Sequence, residues 1–433
     1  MLVYGVVGKP VSHSLSPQIM NAAFSDAGID AFYTRFLLSD VSDFSSFVKD
    51  FDPKGLSITA PFKKAVLNHV DRPDADVSFL GAANTLVFNG IEIAAYNTDV
   101  SGVIDPIRKV SETLNDKKVL VIGAGGAARA VLYAFRSETV ELSLTNRSIH
   151  KIPDLQKSFS FTFIPFEKLS EQIASFDVIV NTLPVRPESF NNFQLHKNQL
   201  ILDASYKNAP LKTLAFQAGS NYLNGSSWLL AQAKFAFHHF TGIWPNEKVM
   251  LEAIKNGSKP CRKDVSKLIL TGPMGAGKST LAKALAEKLD FEFVDLDTVI
   301  ENKSGRSIDQ LFIEGENVFR EFESKCLREV MERDKIVLAC GGGVVLKTEN
   351  RELIQQGQVV FLYISPETTI ERNNSAVRPL LKTDDPLASA RKIMKERFPL
   401  YIQSADLVVR AQDKSISELL TLVYEDYRAT FCS

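Results

Sequence analysis

The stretch GPMGAGKST, Gly272 to Thr280, constrains this chain of 433 residues more than any other. It fits G-x-x-x-x-G-K-S/T, a pattern in which backbone N–H groups, a lysine and a hydroxyl hold the phosphates and Mg²⁺ of a nucleotide. The apolar segment KLIL precedes it, and leucines and alanines at helical spacing follow it. This order predicts a strand, a phosphate loop and a helix whose N-terminus favours an anion. The alternative is a glycine-rich turn between an ordinary strand and helix.

This loop and the strand after it supply the candidates for nucleotide and metal binding. Lys278 can reach the terminal phosphates, and Ser279 can ligand Mg²⁺. In FEFVDLDTVIE, Asp295 and Asp297 stand at alternate positions of a segment leaving a strand, so we expect them to point to opposite sides, one toward the metal and one toward the acceptor. The predicted ATP-binding residues are Gly275, Gly277, Lys278, Ser279 and Thr280, with Ser279 at the metal.

Composition places the chain among soluble globular proteins of about three domains. Hydrophobic residues make up 45% and charged residues 23%, and the net charge of −1 favours neither nucleic acid nor an anionic membrane as a partner. The four cysteines have no zinc-ligand spacing, which favours a reducing compartment. No apolar run approaches the ~18 residues of a membrane span, and the start lacks the features of a signal peptide, so we expect a cytoplasmic protein. The sequence leaves the oligomeric state open.

The first hundred residues predict short strands that end in polar residues. Strands are expected at Ala31–Leu37 and Gly55–Ile58, Ser16 is expected as the N-cap of a helix, and Asn89-Gly90 as the type I′ turn of a hairpin. Taken singly, such polar residues are caps, turn residues or surface charges. Their grouping at strand ends predicts a site instead. They are Ser14, Ser16, Thr59, Lys63, Asn84, Asn97 and Asp99.

A second nucleotide motif follows the predicted strand KVLVI. GAGGAARA satisfies G-x-G-x-x-G/A through Gly123, Gly125 and Ala128, and a helical pattern continues after it. About twenty residues on, where an NAD site offers an acidic residue to the ribose, the chain has Asn146 and Arg147. Arginine suits a 2′-phosphate, so NADP is favoured over NAD. The predicted cofactor-binding residues are Gly123, Gly125, Gly126, Ala127, Asn146 and Arg147.

Arginines and glycines recur after the phosphate loop. Arg320 and Glu323 lie one turn apart on one face of a predicted helix. The three glycines at 341–343 follow a buried strand and allow close approach to the backbone. AVRPLLK, centred on Arg378, is typical of a mobile polar lid, and Arg397 lies before the last strand. Arginines suit the carboxylate of a small acid.

Residues 1 to about 256 resemble shikimate dehydrogenase through GKPVSHSLSP, TAPFKK, AANTL, NTD and the GAGGAARA…NR pair. The resemblance implies that Lys63 and Asp99 form the catalytic pair, and a lysine near a carboxylate can supply or accept the proton of a ketone reduction. The chain departs from the family at Leu183 and Arg186, near the expected nicotinamide site, and at Trp228. Shikimate binding is implied for Ser14, Ser16, Thr59, Asn84, Tyr206 and Gln232.

Residues 267 to 433 are similar to shikimate kinase through GPMGAGKST, DLD, GRSI…FREFE, GGG, VRPLL and RFPLY. The resemblance implies ATP and Mg²⁺ at the phosphate loop, with Ser279 and Asp295 at the metal. It also implies Asp297 as the residue that orients or deprotonates the attacking hydroxyl, and Arg378 as the lid arginine. Shikimate binding is implied for Asp297, Arg320, Gly342, Gly343 and Arg397.

The expected fold is α/β. A shikimate dehydrogenase-like substrate domain is expected at 1–100, completed by a helix at 230–256, with a Rossmann NADP-binding domain at 101–229 and a P-loop kinase domain with a parallel sheet at 267–433. The linker at 257–266 spans roughly 18 Å as a flexible chain, so the two halves are expected to be neighbours without a fixed arrangement.

The expected function is bifunctional. NADPH reduces 3-dehydroshikimate to shikimate, and ATP then phosphorylates shikimate, so the expected partners are small molecules. Quinate as the first substrate, a different small-molecule kinase, and a non-catalytic ligand-sensing fusion stay as alternatives.

Overall fold

The structure of the protein is a computed structural model that describes residues 1–111, 113–183, 185–205, 209–257, 264–373 and 384–431. Tyr206 and Arg378, both predicted as site residues, lie outside these ranges, as does most of the predicted linker. The chain forms two compact units, Met1–His69 together with Lys255–Ser433, and Val70–Ile254. The domain boundaries predicted at 100, 229 and 257–266 come from the family resemblance and differ from the limits of these compact units. They stay a prediction, apart from the end of the linker, whose last residues belong to a strand.

Strands and helices alternate along most of the chain. The strands are β1 (Leu2–Gly8), β2 (Ala31–Leu37), β3 (Gly55–Ile58), β4 (Arg72–Pro73), β5 (Thr85–Asn89), β6 (Glu92–Tyr96), β7 (Lys117–Ile122), β8 (Val140–Asn146), β9 (Thr162–Pro165), β10 (Val178–Asn181), β11 (Leu200–Asp203), β12 (Asn221–Leu223), β13 (Asp264–Thr271), β14 (Glu292–Asp295), β15 (Ile336–Ala339), β16 (Gly357–Tyr363) and β17 (Leu407–Arg410).

The helices cover the faces of the sheets. They are α1 (Ser16–Asp26), α2 (Phe44–Phe51), α3 (Ala75–Leu80), α4 (Asp99–Val110), α5 (Gly126–Ala134), α6 (Ile152–Gln156), α7 (Leu169–Gln172), α8 (Lys212–Ala218), α9 (Gly225–Thr241), α10 (Glu247–Gly257), α11 (Lys278–Leu289), α12 (Leu296–Ser304), α13 (Ile308–Glu314), α14 (Glu316–Val330), α15 (Thr348–Ile354), α16 (Pro366–Asn373), α17 (Pro386–Ser404) and α18 (Ile416–Phe431).

The first unit contains parallel strands in the order β14-β15-β13-β16-β17-β2-β1-β3. β13 begins at Asp264, so residues 264–266, predicted in the linker, belong to the sheet. β13 lies between β15 and β16, and a reversal of strand order of this kind is where α/β sheets bind ligands, at the carboxyl ends of the strands. The phosphate loop follows β13 and opens at that point.

One strand pair in this unit joins the two halves of the chain, which were expected to have no fixed arrangement. β17 pairs with β2, with Val408 opposite Phe36 and Val409 opposite Leu37. The expectation of two halves without a fixed arrangement is therefore wrong for the first unit, in which the strands around the phosphate loop and the first three strands of the chain form one sheet.

The second unit contains a parallel sheet in the order β9-β8-β7-β10-β11-β12. This is the 3-2-1-4-5-6 order of Rossmann folds, with the switch point between β7 and β10. Val119 and Val121 pack into one buried cluster, and Leu120 and Ile122 pack into another, because alternate side chains of a strand face opposite sides. The prediction of a Rossmann domain is confirmed.

The predicted hairpin of the second unit forms with its turn shifted by one residue. Asn89 pairs with Glu92, so the turn residues are Gly90 and Ile91. Of these two, Gly90 has a positive φ, +68°. A glycine at the first turn position fits type II′, so the type I′ prediction centred on Asn89-Gly90 is wrong. The hairpin still delivers its polar residues to the start of α4.

Candidate active sites

The phosphate loop has the backbone that its sequence predicts. Gly272, Gly275 and Gly277 have φ of +141°, +77° and +84°, values that other residues rarely adopt. A Cβ on Gly272 would lie 2.4 Å from the carbonyl oxygen of Leu362. α11 begins at Lys278, so its first backbone N–H groups open onto the loop.

Lys278, Ser279 and Asp295 lie beside this loop. Nζ of Lys278 donates to the carbonyls of Gly272 and Pro273, at 2.9 and 2.8 Å. Oγ of Ser279 donates to Oδ2 of Asp295 at 2.6 Å. Mg²⁺ takes such oxygen ligands together with phosphate oxygens and waters, so the predicted pair fits the ion. Across the described ranges, no group of three or more His, Cys, Asp or Glu side chains is arranged to hold a metal ion.

Asp297 lies on the first turn of α12, so the strand period from which its direction was predicted does not extend to it. Asp295 ends β14 and caps α12, accepting from the backbone N–H of Asp297 at 3.0 Å and of Thr298 at 3.4 Å. Both carboxylates line one cavity of about 240 Å³, Asp295 against Ser279 and Asp297 beside Gly341, and the assignment of one to the metal and the other to the acceptor stays a prediction. The helix begins here because aspartate is a favoured N-cap.

Two buried arginines line the same cavity. Arg320 on α14 donates to Oε1 of Glu316 at 3.0 Å and to Oε2 of Glu323 at 2.9 Å. Arg397 on α17 donates to the carbonyl of Gly342 at 3.0 Å. Their exposed fractions are 6% and 8%. Desolvated guanidinium groups bind carboxylates in a planar, bidentate manner, so the cavity suits a small anionic acid.

The glycines after β15 make room for these side chains. A Cβ on Gly343 would lie 2.2 Å from Nη2 of Arg320, and a Cβ on Gly341 would lie 3.0 Å from Oδ1 of Asp297. The predicted close approach to the backbone is therefore present, and the groups that approach are side chains of the site itself.

Two further residues belong to this site but were not predicted to. Glu323 is fully buried, and burial raises its pKa against the opposing pull of Arg320. Tyr401 donates its hydroxyl to the carbonyl of Gly342, and burial raises the pKa of Tyr401 to about 12, so it stays a donor at neutral pH. A signal existed in the sequence for both, because Glu323 follows Arg320 by three positions and Tyr401 follows Arg397 by four, which places each pair on one helix face.

Four of the residues predicted for the dehydrogenase site lie in the first unit. Ser14 lies between β1 and α1 and Ser16 at the start of α1, with Oγ of Ser14 donating to Oγ of Ser16 at 3.2 Å. Ser16 is the first residue of α1 and makes no cap, so its prediction as an N-cap is wrong. Thr59 and Lys63 are half-buried and follow β3. Since β1 and β3 are parallel neighbours, all four follow strands that end at the same edge of the sheet.

In the second unit, Asn84 and Asp99 are in direct contact. Nδ2 of Asn84 donates to Oδ1 of Asp99 at 3.0 Å. Oδ1 of Asn84 accepts from the backbone N–H of Thr98 at 2.8 Å and from Oγ1 of Thr85 at 3.0 Å. The buried amide is held at both ends, so it orients the Asp99 carboxylate.

The glycine motif of the second unit leaves room at a helix N-terminus. Gly123 has φ +116° and follows β7. Gly125 is the N-cap of α5, and Gly126 is its first residue. A Cβ on Gly125 or Gly126 would meet no atom within 4 Å, whereas Ala127 is half-buried in the helix. Open space and unpaired helix N–H groups are what a pyrophosphate requires, so these residues fit a dinucleotide.

The other predicted ligands of this unit lie at the end of β8 and on α9. Asn146 ends β8 and donates from Nδ2 to the carbonyl of Ser148 at 3.0 Å. Arg147 follows it and is exposed, as a partner for a 2′-phosphate must be. Gln232 is half-buried on α9 and donates from Nε2 to the carbonyl of Leu229 at 3.1 Å.

The three residues that differ from the shikimate dehydrogenase pattern each contact neighbouring residues of the second unit. Trp228 is buried against Gly102, where a Cβ would lie 2.6 Å from Cδ1 of the indole. The backbone N–H of Leu183 donates to Oδ1 of Asn181 at 3.2 Å. Arg186 is exposed and donates to Oδ1 of Asn191 at 2.8 Å.

A Rossmann unit and a phosphate-loop sheet with an acid-binding cavity define an α/β enzyme with one dinucleotide site and one nucleoside triphosphate site. Family models match in three places: the shikimate dehydrogenase substrate binding domain at residues 6–86, shikimate / quinate 5-dehydrogenase at 106–195 and shikimate kinase at 274–428. A shikimate dehydrogenase (NADP(+)) of Methanocella arvoryzae is 36% identical over 264 residues, which are 58% of this chain and 97% of that protein. The chain belongs to the shikimate dehydrogenase family and carries a shikimate kinase domain after it, so it is a bifunctional shikimate-pathway enzyme.

Solved structures agree with this assignment. The shikimate 5-dehydrogenase of Thermus thermophilus, in complex with NADP(H) and shikimate, has a TM-score of 0.53 and 28% identity, covering 59% of this chain and 100% of its own. A quinate dehydrogenase of Corynebacterium glutamicum, in complex with NAD, has a TM-score of 0.54 and 26% identity, covering 59% of this chain and 99% of its own. None of the described helices combines the length and the hydropathy of a membrane-spanning segment.

Proposed function

We propose that the enzyme reduces 3-dehydroshikimate to shikimate with NADPH and then phosphorylates shikimate with ATP to shikimate 3-phosphate. The observation that carries the proposal is the cavity in which Asp297, Arg320 and Arg397 lie with the residues of the phosphate loop. Two buried guanidinium groups, with the Asp297 carboxylate beside them, suit a hydroxylated acid as a phosphoryl acceptor. Shikimate dehydrogenases and shikimate kinases are both named for the same acid, so the product of the first proposed reaction would be the substrate of the second.

In the first reaction a carbonyl carbon gains a hydride and its oxygen gains a proton. NADPH supplies the hydride when bound, with its pyrophosphate at the start of α5 and its 2′-phosphate at Arg147. Lys63 and Asp99 are the proposed catalytic pair, in which Lys63 gives the proton to the carbonyl oxygen and takes it back in the reverse reaction. Asn84 fixes which oxygen of Asp99 faces the substrate. The proposed shikimate ligands are Ser14, Ser16, Thr59, Asn84, Tyr206 and Gln232.

In the second reaction a shikimate hydroxyl attacks the terminal phosphate. ATP with Mg²⁺ supplies the phosphoryl group when bound, held by the phosphate loop, Ser279 and Asp295. Lys278 places a cation beside the phosphates, and Asp297 orients the hydroxyl and accepts its proton. The proposed ligands of the shikimate ring and carboxylate are Arg320, Arg397, Gly342 and Gly343, and Arg378 is the proposed lid arginine.

Quinate is the second candidate for the first substrate. The quinate dehydrogenase structure matches this chain with a TM-score of 0.54 and the shikimate enzyme above with 0.53, so the fold does not separate the two acids. Initial rates with quinate and with shikimate, each tested with NAD⁺ and NADP⁺, separate the two candidates. We expect NADP⁺ to give a higher kcat/KM than NAD⁺, since no acidic residue adjoins Arg147 in the sequence after β8. We expect shikimate to give a higher kcat/KM than quinate, since the relative of 36% identity is a shikimate dehydrogenase (NADP(+)).

A coupled assay tests the whole proposal. The purified chain, given 3-dehydroshikimate, NADPH, ATP and Mg²⁺, should form shikimate 3-phosphate while NADPH absorbance falls. Lys63→Ala should lower the reductase rate at least about a hundredfold and leave the kinase rate intact, whereas Lys278→Ala should do the reverse. If either variant lost both activities while its melting temperature was unchanged, the assignment of two separate sites would be wrong.

A further inference from the structure

The C-terminal segment contacts the loop between β1 and α1, residues 9–16, which we name the serine loop because it carries two of the proposed shikimate ligands. Oδ1 of Asp426, on α18, accepts from the backbone N–H of Val11 at 2.6 Å and of Ser12 at 3.2 Å. Asp426 is 2% exposed, and Val11 is fully buried. Buried backbone donors need an acceptor, and α18 provides it for two donors of this loop.

Arg35 on β2 holds the same loop at a second point. Its Nε and Nη2 donate to the carbonyl oxygen of Ser14 at 3.0 and 2.6 Å, and Nη2 also donates to Oε1 of Gln18 at 3.0 Å. Its Nη1 donates to the carbonyl oxygen of Asp406, just before β17, at 3.3 Å. Because Arg35 is 8% exposed, its guanidinium forms a desolvated bridge from the serine loop to the C-terminal segment.

These contacts belong to a larger interface within the first unit. Its apolar part includes the ring of Phe51, whose centroid lies 4.6 Å from that of Tyr363. Beside it, Oδ2 of Asp50 accepts from Nε of Arg410 at 2.5 Å and from Nε2 of Gln412 at 2.8 Å. An apolar centre with satisfied polar groups around it is the composition of a stable interface, so the serine loop is held by a fixed surface.

We propose that the kinase domain positions the shikimate-binding loop of the dehydrogenase, with Asp426 and Arg35 as the positioning residues. The proposal rests on the proposed function, since it takes Ser14 and Ser16 to bind shikimate. Asp426 lies within residues 274–428, which match shikimate kinase, whereas the serine loop lies wholly within the dehydrogenase match at 6–86. The held atoms adjoin the binding hydroxyls and not the proposed proton donor, so loosening them should raise KM for shikimate more than it lowers kcat.

Two substitutions at one position, with a matched control, test this positioning. Asp426→Ala removes the acceptor of the loop N–H groups, and Asp426→Asn keeps one acceptor oxygen. Asp50→Asn removes a carboxylate charge from the same interface but does not touch the serine loop. Both activities are measured on each intact variant, with shikimate and NADP⁺ for one and shikimate and ATP for the other.

Asp426→Ala should raise KM for shikimate in the dehydrogenase reaction about tenfold, and Asp426→Asn should raise it by less. KM for NADP⁺ and both KM values of the kinase should stay within about twofold, as should all values of Asp50→Asn. Amide hydrogen exchange of residues 9–16 should be faster in Asp426→Ala than in Asp50→Asn at an equal loss of melting temperature.

An unchanged KM for shikimate in Asp426→Ala, or an equal rise in Asp50→Asn, would overturn the proposal, because the interface would then act through general stability alone. A wild-type chain without shikimate oxidation would instead refute the proposed function. The exchange comparison then decides the positioning by itself: faster exchange confined to Asp426→Ala supports it, and equal exchange in the two variants refutes it.

Discussion

A methyl group at Gly343 tests whether the position of Arg320 sets the affinity of the kinase site for its acid. Gly343 has φ −104° and ψ 0°, which alanine adopts without strain. Its Cβ would lie 2.2 Å from Nη2, 2.3 Å from Nη1 and 2.4 Å from Cζ of Arg320. Non-bonded heavy atoms of this kind prefer roughly 3.5 Å, so the guanidinium must move by about 1 Å.

The expected magnitude follows from how Arg320 is held. Glu316 and Glu323 accept from it at 3.0 and 2.9 Å, and it is 6% exposed, so it cannot move without disturbing these ion pairs. A hydrogen bond between charged groups contributes about 1.5–3 kcal/mol, which corresponds to about a 10- to 150-fold change in an equilibrium constant. We expect Gly343→Ala to raise KM for shikimate in the kinase reaction by that factor. The melting temperature should fall as well, because overpacking a buried site costs about 1–3 kcal/mol.

The assay follows ADP release at varied shikimate, and dehydrogenase KM values from the same preparation serve as the internal control. Arg320→Ala and the double variant with Gly343→Ala complete a cycle. If the methyl group acts through Arg320, it should add almost nothing once the guanidinium is absent. An undiminished effect of Gly343→Ala in the Arg320→Ala background would refute the reasoning.

Two further predictions concern the metal and the pH. Asp295→Asn keeps a cap for α12 but removes the charge beside Ser279, so the Mg²⁺ needed for half-maximal kinase rate should rise about tenfold or more, with the dehydrogenase rate unchanged. His239 stacks on Tyr96 with centroids 3.8 Å apart, and burial lowers its pKa. The unfolded chain therefore binds a proton at His239 more tightly than the folded chain does, so the stability that neutral His239 contributes is complete above about pH 6.5 and falls below it. His239→Phe should lessen the loss of melting temperature between about pH 7.5 and about 5.5. An equal loss in both proteins would contradict this prediction.

Local patterns in the sequence predicted the elements that form both nucleotide sites. β2 and β3 have the predicted bounds, because their apolar and aromatic runs are interrupted by turn residues at both ends. GPMGAGKST and GAGGAARA are also local signals, since the glycine conformations and the helix N-termini that they create depend on neighbouring residues. The chemistry of a site could therefore be predicted wherever its residues lie within one strand, loop and helix.

Two errors of local structure come from competition between neighbouring signals. The direction of the Asp297 side chain was inferred from the period of a strand, but Asp295 is an N-cap and ends the strand two residues earlier. Ser16 was assigned as a cap because Pro17 follows it, but the helix already includes Ser16. The error at Ser16 matters for the site, because a hydroxyl that does not cap the helix can bind a neighbouring side chain. Here it accepts from Oγ of Ser14.

The pairing of β17 with β2 could not be predicted from the sequence. Arg35 and Asp406, which lie at this junction, are 371 positions apart. Hydrophobic period shows which face of a strand is buried, but it carries no information about which edge meets another strand. The linker composition favoured independent halves, because chain statistics describe a tether and not the surfaces that it brings together.

Sharing one sheet changes what joins the two enzymes. Without the β17–β2 pair, β17 would be the edge strand of the sheet around the phosphate loop, and β2 would be the edge strand of the sheet of β1, β2 and β3. Each edge would present unpaired N–H and C=O groups. The adjoining Asp43 shows that the junction is electrostatically satisfied: burial alone would raise its pKa, but hydrogen bonds from Lys414 and Ser39 hold that pKa below its ordinary value. This ion pair therefore contributes stability at neutral pH that is lost only as the pH falls through the lowered pKa of Asp43. Because the edge strands and the charged groups of this junction satisfy each other, the strands around the phosphate loop and the first three strands of the chain form one folded unit.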